Sequence, residues 1–517
     1  MQLTDHDLKQ IDEEYLSKLT SEQLLKLSEK LLDDLRNARD RLNQNSSNSS
    51  RPPSSEAPWS DVERGEVPAA SGSEEEGDES QEEPRSKSPK QVEGEGESEW
   101  EQGSVEKRKP GKQPGAKGSG RRLEMRVTDV VEHKAAECRG CGASFDEDGS
   151  FVATTGMYVL EIEKRTHGVE VTHVKHIYGE QKCSCGHVTQ TMPSRCDSEE
   201  GWDVGLSEWH LVGPLLSSLI ICLSMRMRLS RKRIQEFLED WLGISLSTGC
   251  INQCITEGGR ATAPLEEELI ELVQQSELLY VDETGWKENG RLVWLWVLRT
   301  ATATLYLIGR RSWETIADIM EHFAGWLMSD GYGQYRHYSK RLRCLAHLIR
   351  KARGLEESCH PPAAQFGQKV LETLSLFIKG VYVARGDPEM NLLTKFAAEL
   401  EELKKLCEQH RNHPHLKTQQ LAREFLNDWD AIWAVLAHPE LPLTNNVAER
   451  ALRHWVISRK ISSGTRNAQG SRAFTLLASV IDTCRQRAVS PWPYIADVIA
   501  ARRRGDAPPP LPLSAIS

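Results

Sequence analysis

Residues 278–300, LLYVDETGWKENGRLVWLWVLRT, decide the fold. Runs of Leu, Val, Tyr and Trp interrupted by Gly and Asn read as strands rather than as one helix. Three such runs follow one another, LLYVD, RLVWLWVLRT and ATLYLIG; a helix is expected near Trp313 to Phe323, and then a strand, GWLMSD. The order strand, strand, strand, helix, strand predicts a mixed sheet with a helix on its face. In this reading Asp282 closes the first strand and Asp330 closes the fourth, while strand alternation turns Glu283 away from Asp282. Trp286, Trp294 and Trp296 are assigned to the core.

Downstream, residues 335–440 carry helical patterns and no further strand-like run, so they are expected to form a helical insertion. Residues 441–500 resume the core with TNNVAERALRHWVISRK, where Thr444 or Asn445 can cap a helix that displays Glu449. Residues 501–517 read as a flexible tail. Upstream, residues 201–275 read as short helices broken near Leu229–Ser230 and at Gly243, and residues 123–200 alternate like a small β domain. Residues 46–122 are an acidic and then basic linker, too poor in apolar side chains to bury a core. Over residues 1–45, Leu8, Ile11, Tyr15 and Leu19 make a stripe, and Leu24 with Leu31 and Leu35 with Leu42 make seven-residue steps. That leader is expected to pair as a coiled-coil helix.

A formal charge of −11 over 517 residues argues against nucleic acid as a partner only if it is spread evenly. It is not. Between Asn446 and Arg504 eleven Lys or Arg face three Asp or Glu, a local surplus of eight. A second basic cluster, Arg226, Arg228, Arg231, Lys232 and Arg233, lies on the helices before the sheet. Both suit a phosphate backbone, and a solvated basic face is the alternative. Twelve cysteines without a secretory leader point to a reducing cytosol, and no apolar run is long enough for a membrane span. A cytoplasmic protein is expected.

Four cysteines have metal-ligand spacing: Cys138 and Cys141 in CRGCG, Cys183 and Cys185 in CSCG. Four thiolates suit a closed structural zinc site, and the glycine after each pair permits the turn that aims both sulfurs inward. His187 is an alternative to Cys185 as the fourth ligand. Asp282, Asp330 and Glu449 offer hard oxygen ligands for two Mg2+ or Mn2+ ions if the sheet brings them together. Taken singly they read as a strand exit, a turn residue and a helix-surface residue.

The runs YVDETGW, LMSDGYGQY with downstream CLAHLIRKA, and TNNVAERALRHWVISRKISSGTRNAQGSRAF resemble the catalytic core of bacterial DDE transposases. The group most similar is the one named after insertion sequence sixty-six. The resemblance implies a retroviral-integrase or RNase H-like α/β core with a helical insertion, preceded by a helical leader, a flexible segment and a zinc-binding domain. It implies that Asp282, Asp330 and Glu449 are the catalytic, Mg2+- or Mn2+-binding residues, and that Cys344 and His347 are a Cys-x-x-His signature. It also implies cleavage at inverted terminal repeats and joining of the 3′ hydroxyl to target DNA, with a homodimer or larger assembly on DNA in the bacterial nucleoid. Accessory proteins from the same element are compatible with it. Arg450, Arg453, Arg459, Lys460, Arg466 and Arg472 would then hold DNA with Arg228, Arg231, Lys232 and Arg233; the alternative for Arg453 is an ion pair with Glu449, one helical turn away. The other readings are an RNase H-like nuclease or resolvase without strand transfer, and a non-cleaving DNA-binding protein derived from a transposase.

Overall fold

The structure, a computed structural model, describes residues 19–42, 127–145, 150–196, 201–387 and 390–514, all within one of the chain's two compact units. Expectations for residues 1–18 and for the linker lie outside the described residues. Of the leader, helix α1 spans Ser21–Leu42 and leaves Leu24, Leu31 and Leu35 exposed.

The first sheet contains β1 (Asp129–His133), β2 (Phe151–Arg165), β3 (Gly168–Lys182) and β4 (Val188–Gln190). β3 pairs with all three others, antiparallel to β2 and β4 and parallel to β1. A short ribbon, β5 (Arg195–Cys196) with β6 (Leu206–Ser207), leads to four helices. These are α2 (Pro214–Met225), α3 (Arg231–Leu242), α4 (Thr248–Thr262) and α5 (Leu265–Gln274). Their ends are set by local chemistry. Ser230 accepts from the Arg233 N–H, Ser247 accepts from the Cys250 N–H, and Gly243 ends α3 in the left-handed region at φ 64°. Glu161 on β2 accepts from the N–H groups of Leu215 and Leu216, placing a carboxylate on the N-terminus of α2 and joining the small sheet to the helices.

The second sheet has the spatial order β11-β10-β7-β8-β9, formed by β7 (Leu278–Glu288), β8 (Arg291–Arg299), β9 (Thr304–Gly309), β10 (Trp326–Ser329) and β11 (Arg341–Arg343). β7, β8 and β9 are antiparallel neighbours, and β10 joins β7 and β11 in parallel, so the sheet is mixed as expected. Two details differ from the sequence reading. Asp282 does not close its strand: pairing with β8 carries β7 on to Glu288, where Asn289 and Gly290, both at positive φ, turn the hairpin. The stretch read as mainly helical, with no further strand, also contains one, β11. Its Arg341 and Arg343 are buried because Asp428 takes both, with Arg336 as a third partner. Between β9 and β10 the helical segment is shorter than expected, a 3-10 turn at Trp313–Thr315 and then α6 (Ala317–Glu321).

Helices α7 (Leu345–Glu356), α8 (Pro361–Ala384), α9 (Leu392–Lys395), α10 (Ala397–His410), α11 (Leu416–Asn427) and α12 (Trp429–Ala437) follow. Phe366, Phe377, Phe425 and Trp433 fill their core, which continues into Met328 and Leu342 of the sheet. The chain then returns as α13 (Asn446–Ser462), packed on β7 and β8, and α14 (Ala468–Gln486), packed on β9. Trp286 stacks on Phe474 and Trp455 of α13 meets the same ring edge-on, at 4.6 and 5.2 Å between ring centroids. Trp286 and Trp296 are buried as expected, whereas Trp294 is half-buried beneath the Arg311 guanidinium. α15 (Pro491–Arg504) packs on α2 and α4, and Arg503 grips the buried Glu257 with two hydrogen bonds of 2.8 Å each.

Removing one partner of a buried ion pair strands the other charge. Arg503→Ala should therefore lower unfolding free energy by about 3–5 kcal/mol in urea titration, and a loss under about 1 kcal/mol would show that Glu257 is satisfied without it. Asp428 yields a pH dependence. Burial alone would raise its pKa, but hydrogen bonds from Arg336 and Arg341 and the charges of Arg341 and Arg343 hold it below the ordinary value. A carboxyl lowered in this way contributes stability that is complete above its unfolded pKa of about 4 and is lost as pH falls through the folded value. Wild type should lose stability more steeply than Asp428→Asn below about pH 4, measured by urea midpoints across an acid series.

Candidate functional site

β10 pairs with β7 in the register Trp326 to Leu278, Leu327 to Leu279 and Met328 to Tyr280. Carried two residues further, that register sets Asp330 beside Asp282. α13 packs across β7 and brings Glu449, in its first turn, to the same place. The other two carboxylates act on Asp282: burial raises its pKa well above the ordinary value, and the charges of Asp330, Glu283 and Glu449 raise it further. All three side chains are half-buried. Asp282 accepts from the Glu283 N–H at 2.9 Å, and Asp330 accepts from the Tyr332 N–H at 2.8 Å. Glu449 Oε1 is buried and has no hydrogen-bond partner. Three hard oxygen donors, two of them raising the proton affinity of Asp282 and one orphaned, fit a divalent cation.

Glu449 is flanked by residues from α7. Arg350 lies 3.6 Å from Oε1 and His347 Nε2 lies 3.7 Å from it. Burial lowers the His347 pKa to about 3, assisted by the charges of Arg350, Arg343 and Lys351, so its approach to Glu449 is that of a neutral ring. Cys344, His347 and Glu449 bring one donor atom each within 4.8 Å of one another. Arg453 is exposed, and the cation beside Glu449 is Arg350. Glu283, the neighbour of Asp282, has a different environment. Burial and the Asp330 charge raise its pKa to about 7, while hydrogen bonds from Tyr335 and Arg311 oppose the rise. The Arg311 guanidinium sits 4.2 Å from the ring centres of both Trp294 and Tyr332, which fixes its fork on Glu283.

The four cysteines also converge. Cys138 Sγ lies 3.8 Å from Cys185 Sγ and Cys141 Sγ lies 3.6 Å from Cys183 Sγ, with all four sulfurs within 4.8 Å of one another. Sulfurs at about 2.3 Å from a tetrahedral zinc stand about 3.8 Å apart, so this spacing suits the ion. Gly142 and Gly186 take φ values of 74° and 89°, which the turn after each pair requires. The converging group contains Cys185; His187 packs against Gly140.

The basic residues divide by environment. Lys232, Arg233, Arg450, Arg453, Lys460, Arg466 and Arg472 are exposed. Arg228 donates to His454 Nδ1 at 2.8 Å, and Arg226 approaches the same nitrogen at 3.4 Å. Arg231 donates to Ser224 Oγ at 3.1 Å. Arg459 donates to Thr284 Oγ1 and Gly285 O, and Arg472 forms a two-pronged pair with Glu266. Sequence reading missed Arg350 beside Glu449 and Arg226 beside His454. Arg350 lay within the quoted CLAHLIRKA, one helical turn after His347, and that spacing was the available signal. His454 and Arg226 meet only through folding.

The stretch that carries all three carboxylates matches a transposase pattern. That pattern defines the Transposase IS66 family, it covers residues 210–473, just over half of the chain, and the chain belongs to this family. Two uncharacterized proteins of Sinorhizobium fredii, y4qI and y4jD, are each 24% identical over 296 and 295 residues, covering 51% and 50% of this chain and 54% and 56% of theirs. A third, y4jO, is 34% identical over 79 residues, 15% of this chain and 25% of its own length. The chain thus spans about half the length of the two longer matches and a quarter of the third.

Proposed function

We propose that the chain is a DDE transposase that binds the inverted terminal repeats of its element, cleaves DNA there and joins the 3′ hydroxyl to target DNA. The observation that carries this reading is the convergence of Asp282, Asp330 and Glu449 from two parallel neighbours and a returning helix. The strand order and the insertion before α13 support an RNase H-like core. Asp282, Asp330 and Glu449 would hold two Mg2+ or Mn2+ ions. Bound there, the metals supply activation of the attacking oxygen and stabilisation of the leaving one.

The remaining work falls to this chain's side chains. Glu283, locked by Arg311 and Tyr335, stiffens β7 next to Asp282. Arg350 offsets part of the carboxylate charge from the side of Glu449. The exposed Arg450, Arg453, Lys460 and Arg466 offer donors to phosphate oxygens along and just beyond α13, positioning the scissile strand without reading its sequence. Lys232 and Arg233, exposed on the first turn of α3, offer donors of the same kind. Arg228, Arg231, Arg459 and the exposed Arg472 would add further donors to the DNA backbone, steadied by the protein partners already described. Cys138, Cys141, Cys183 and Cys185 would hold a structural zinc that fixes the small β domain for DNA binding. Helix α1, with its exposed leucines, would pair two copies so that two DNA ends are joined together.

Zinc analysis checks the small domain. Wild type should contain about one equivalent and Cys183→Ser much less, because loss of a thiolate opens the tetrahedral site; equal content would reject the ligand set. Cleavage and joining of the element's own ends in Mg2+ test the enzyme. Asp282→Asn should lower the rate by about a thousandfold or more, since a lost metal contact costs several kcal/mol. Equal activity would overturn the assignment, and cleavage without joining would favour the nuclease reading.

A further inference from the structure

Asn445 and Cys344, both fully buried, touch the main chain next to every carboxylate of the site. Asn445 Nδ2 donates to Val281 O at 2.8 Å, one residue before Asp282. The Asn445 main-chain N–H donates to Cys344 Sγ at 3.2 Å. The Cys344 N–H in turn donates to Ser329 O at 3.0 Å, one residue before Asp330. The Asn445 carbonyl accepts from the N–H groups of Ala448 at 3.1 Å and Glu449 at 3.2 Å. Two residues therefore connect the strand of Asp282, the strand of Asp330 and the helix of Glu449.

We propose that Asn445 and Cys344 are positioning residues that together set the spacing of Asp282, Asp330 and Glu449, an inference that rests on the reading of those three as the metal-holding group. The chemistry selects both residue types. Asn445 occupies the N-cap position of α13, where an Asn side chain ordinarily accepts from the helix, yet it makes no such cap. Its amide turns to the strand instead, and an Asp at this position, ionised, would have no proton to donate to Val281 O. The helix forgoes a cap so that its start is tied to the residue before Asp282. Cys344 supplies an acceptor that reaches the Asn445 N–H, while its own N–H holds the Asp330 strand. An alanine there would leave the Asn445 N–H buried without a partner. Asn445 Oδ1 is also buried and unpartnered, consistent with a side chain held by its donor end.

The test uses the purified full-length chain and Mn2+ alone as the probe, with free Mn2+ measured by electron paramagnetic resonance and folding by circular dichroism. Asn445→Ala and Cys344→Ala should weaken Mn2+ binding by about 10–100-fold, as loss of an outer partner of a metal ligand does. Cys344→Ser retains an acceptor and should recover most of the affinity lost in Cys344→Ala. The inference is overturned if Asn445→Ala and Cys344→Ala bind Mn2+ as wild type does and merely melt earlier, or if Cys344→Ser is as weak as Cys344→Ala. Should Asn445→Ala fail to fold, the Cys344 pair of variants decides by the same criterion. Asp282→Asn separates the two levels. Its loss of Mn2+ binding beside unaffected Asn445→Ala sinks this inference alone, whereas wild-type binding in Asp282→Asn removes the metal reading and this inference with it.

Discussion

Mutual repulsion among Asp282, Asp330 and Glu449 is the constraint that the core has to meet. At an effective dielectric near 20, two unit charges about 4 Å apart repel by about 4 kcal/mol. That is comparable to a large share of the 5–15 kcal/mol that stabilises a typical domain. The chain meets the cost with main-chain bonding rather than with acidic side chains paired one to one. Parallel pairing of β7 with β10 fixes two of the carboxylates, and the start of α13 is tied to both strands. Arg350 lies close enough to Glu449 to offset charge without forming a direct hydrogen bond.

Behind the carboxylates a second ionic layer joins the helical insertion to the sheet. Asp428 at the end of α11 takes Arg336, Arg341 and Arg343, while Glu424 one turn earlier takes Arg343 and Lys351. Gly331, next to Asp330, sits against this layer. A Cβ there would lie 2.5 Å from Arg343 Nη2 and 2.6 Å from Glu424 Oε1, so a side chain at this corner would push those two head groups aside. These helices are thereby bonded to β11, the parallel neighbour of the strand that leads to the second carboxylate. Their own aromatic core, around Phe377 and Trp433, gives that bond a rigid base.

Much of this frame was legible because it follows from local pattern. The mixed sheet came from apolar runs of strand length. The helix breaks at Ser230 and Gly243 came from residues whose side chain or φ freedom ends a helix. The two cysteine pairs came from spacing plus glycine. What was not legible depended on partners distant in sequence. RLR at 341–343 fell inside the stretch read as helical, because a strand with two buried arginines needs Asp428, more than eighty residues later, to neutralise it. Asp282 read as a strand end because YVDETGW turns polar there, although Asn289–Gly290 was an available sign that the strand ran on to a tight hairpin. Asn445 read as a helix cap because its residue type favours one; only tertiary contact reveals that its amide goes to β7.

The most direct measurement of the central claim is anomalous diffraction from crystals of the full-length chain soaked in Mn2+. The account predicts anomalous density among the carboxylates of Asp282, Asp330 and Glu449, lost in Asp282→Asn. Density elsewhere only, or unchanged density in that variant, would contradict it.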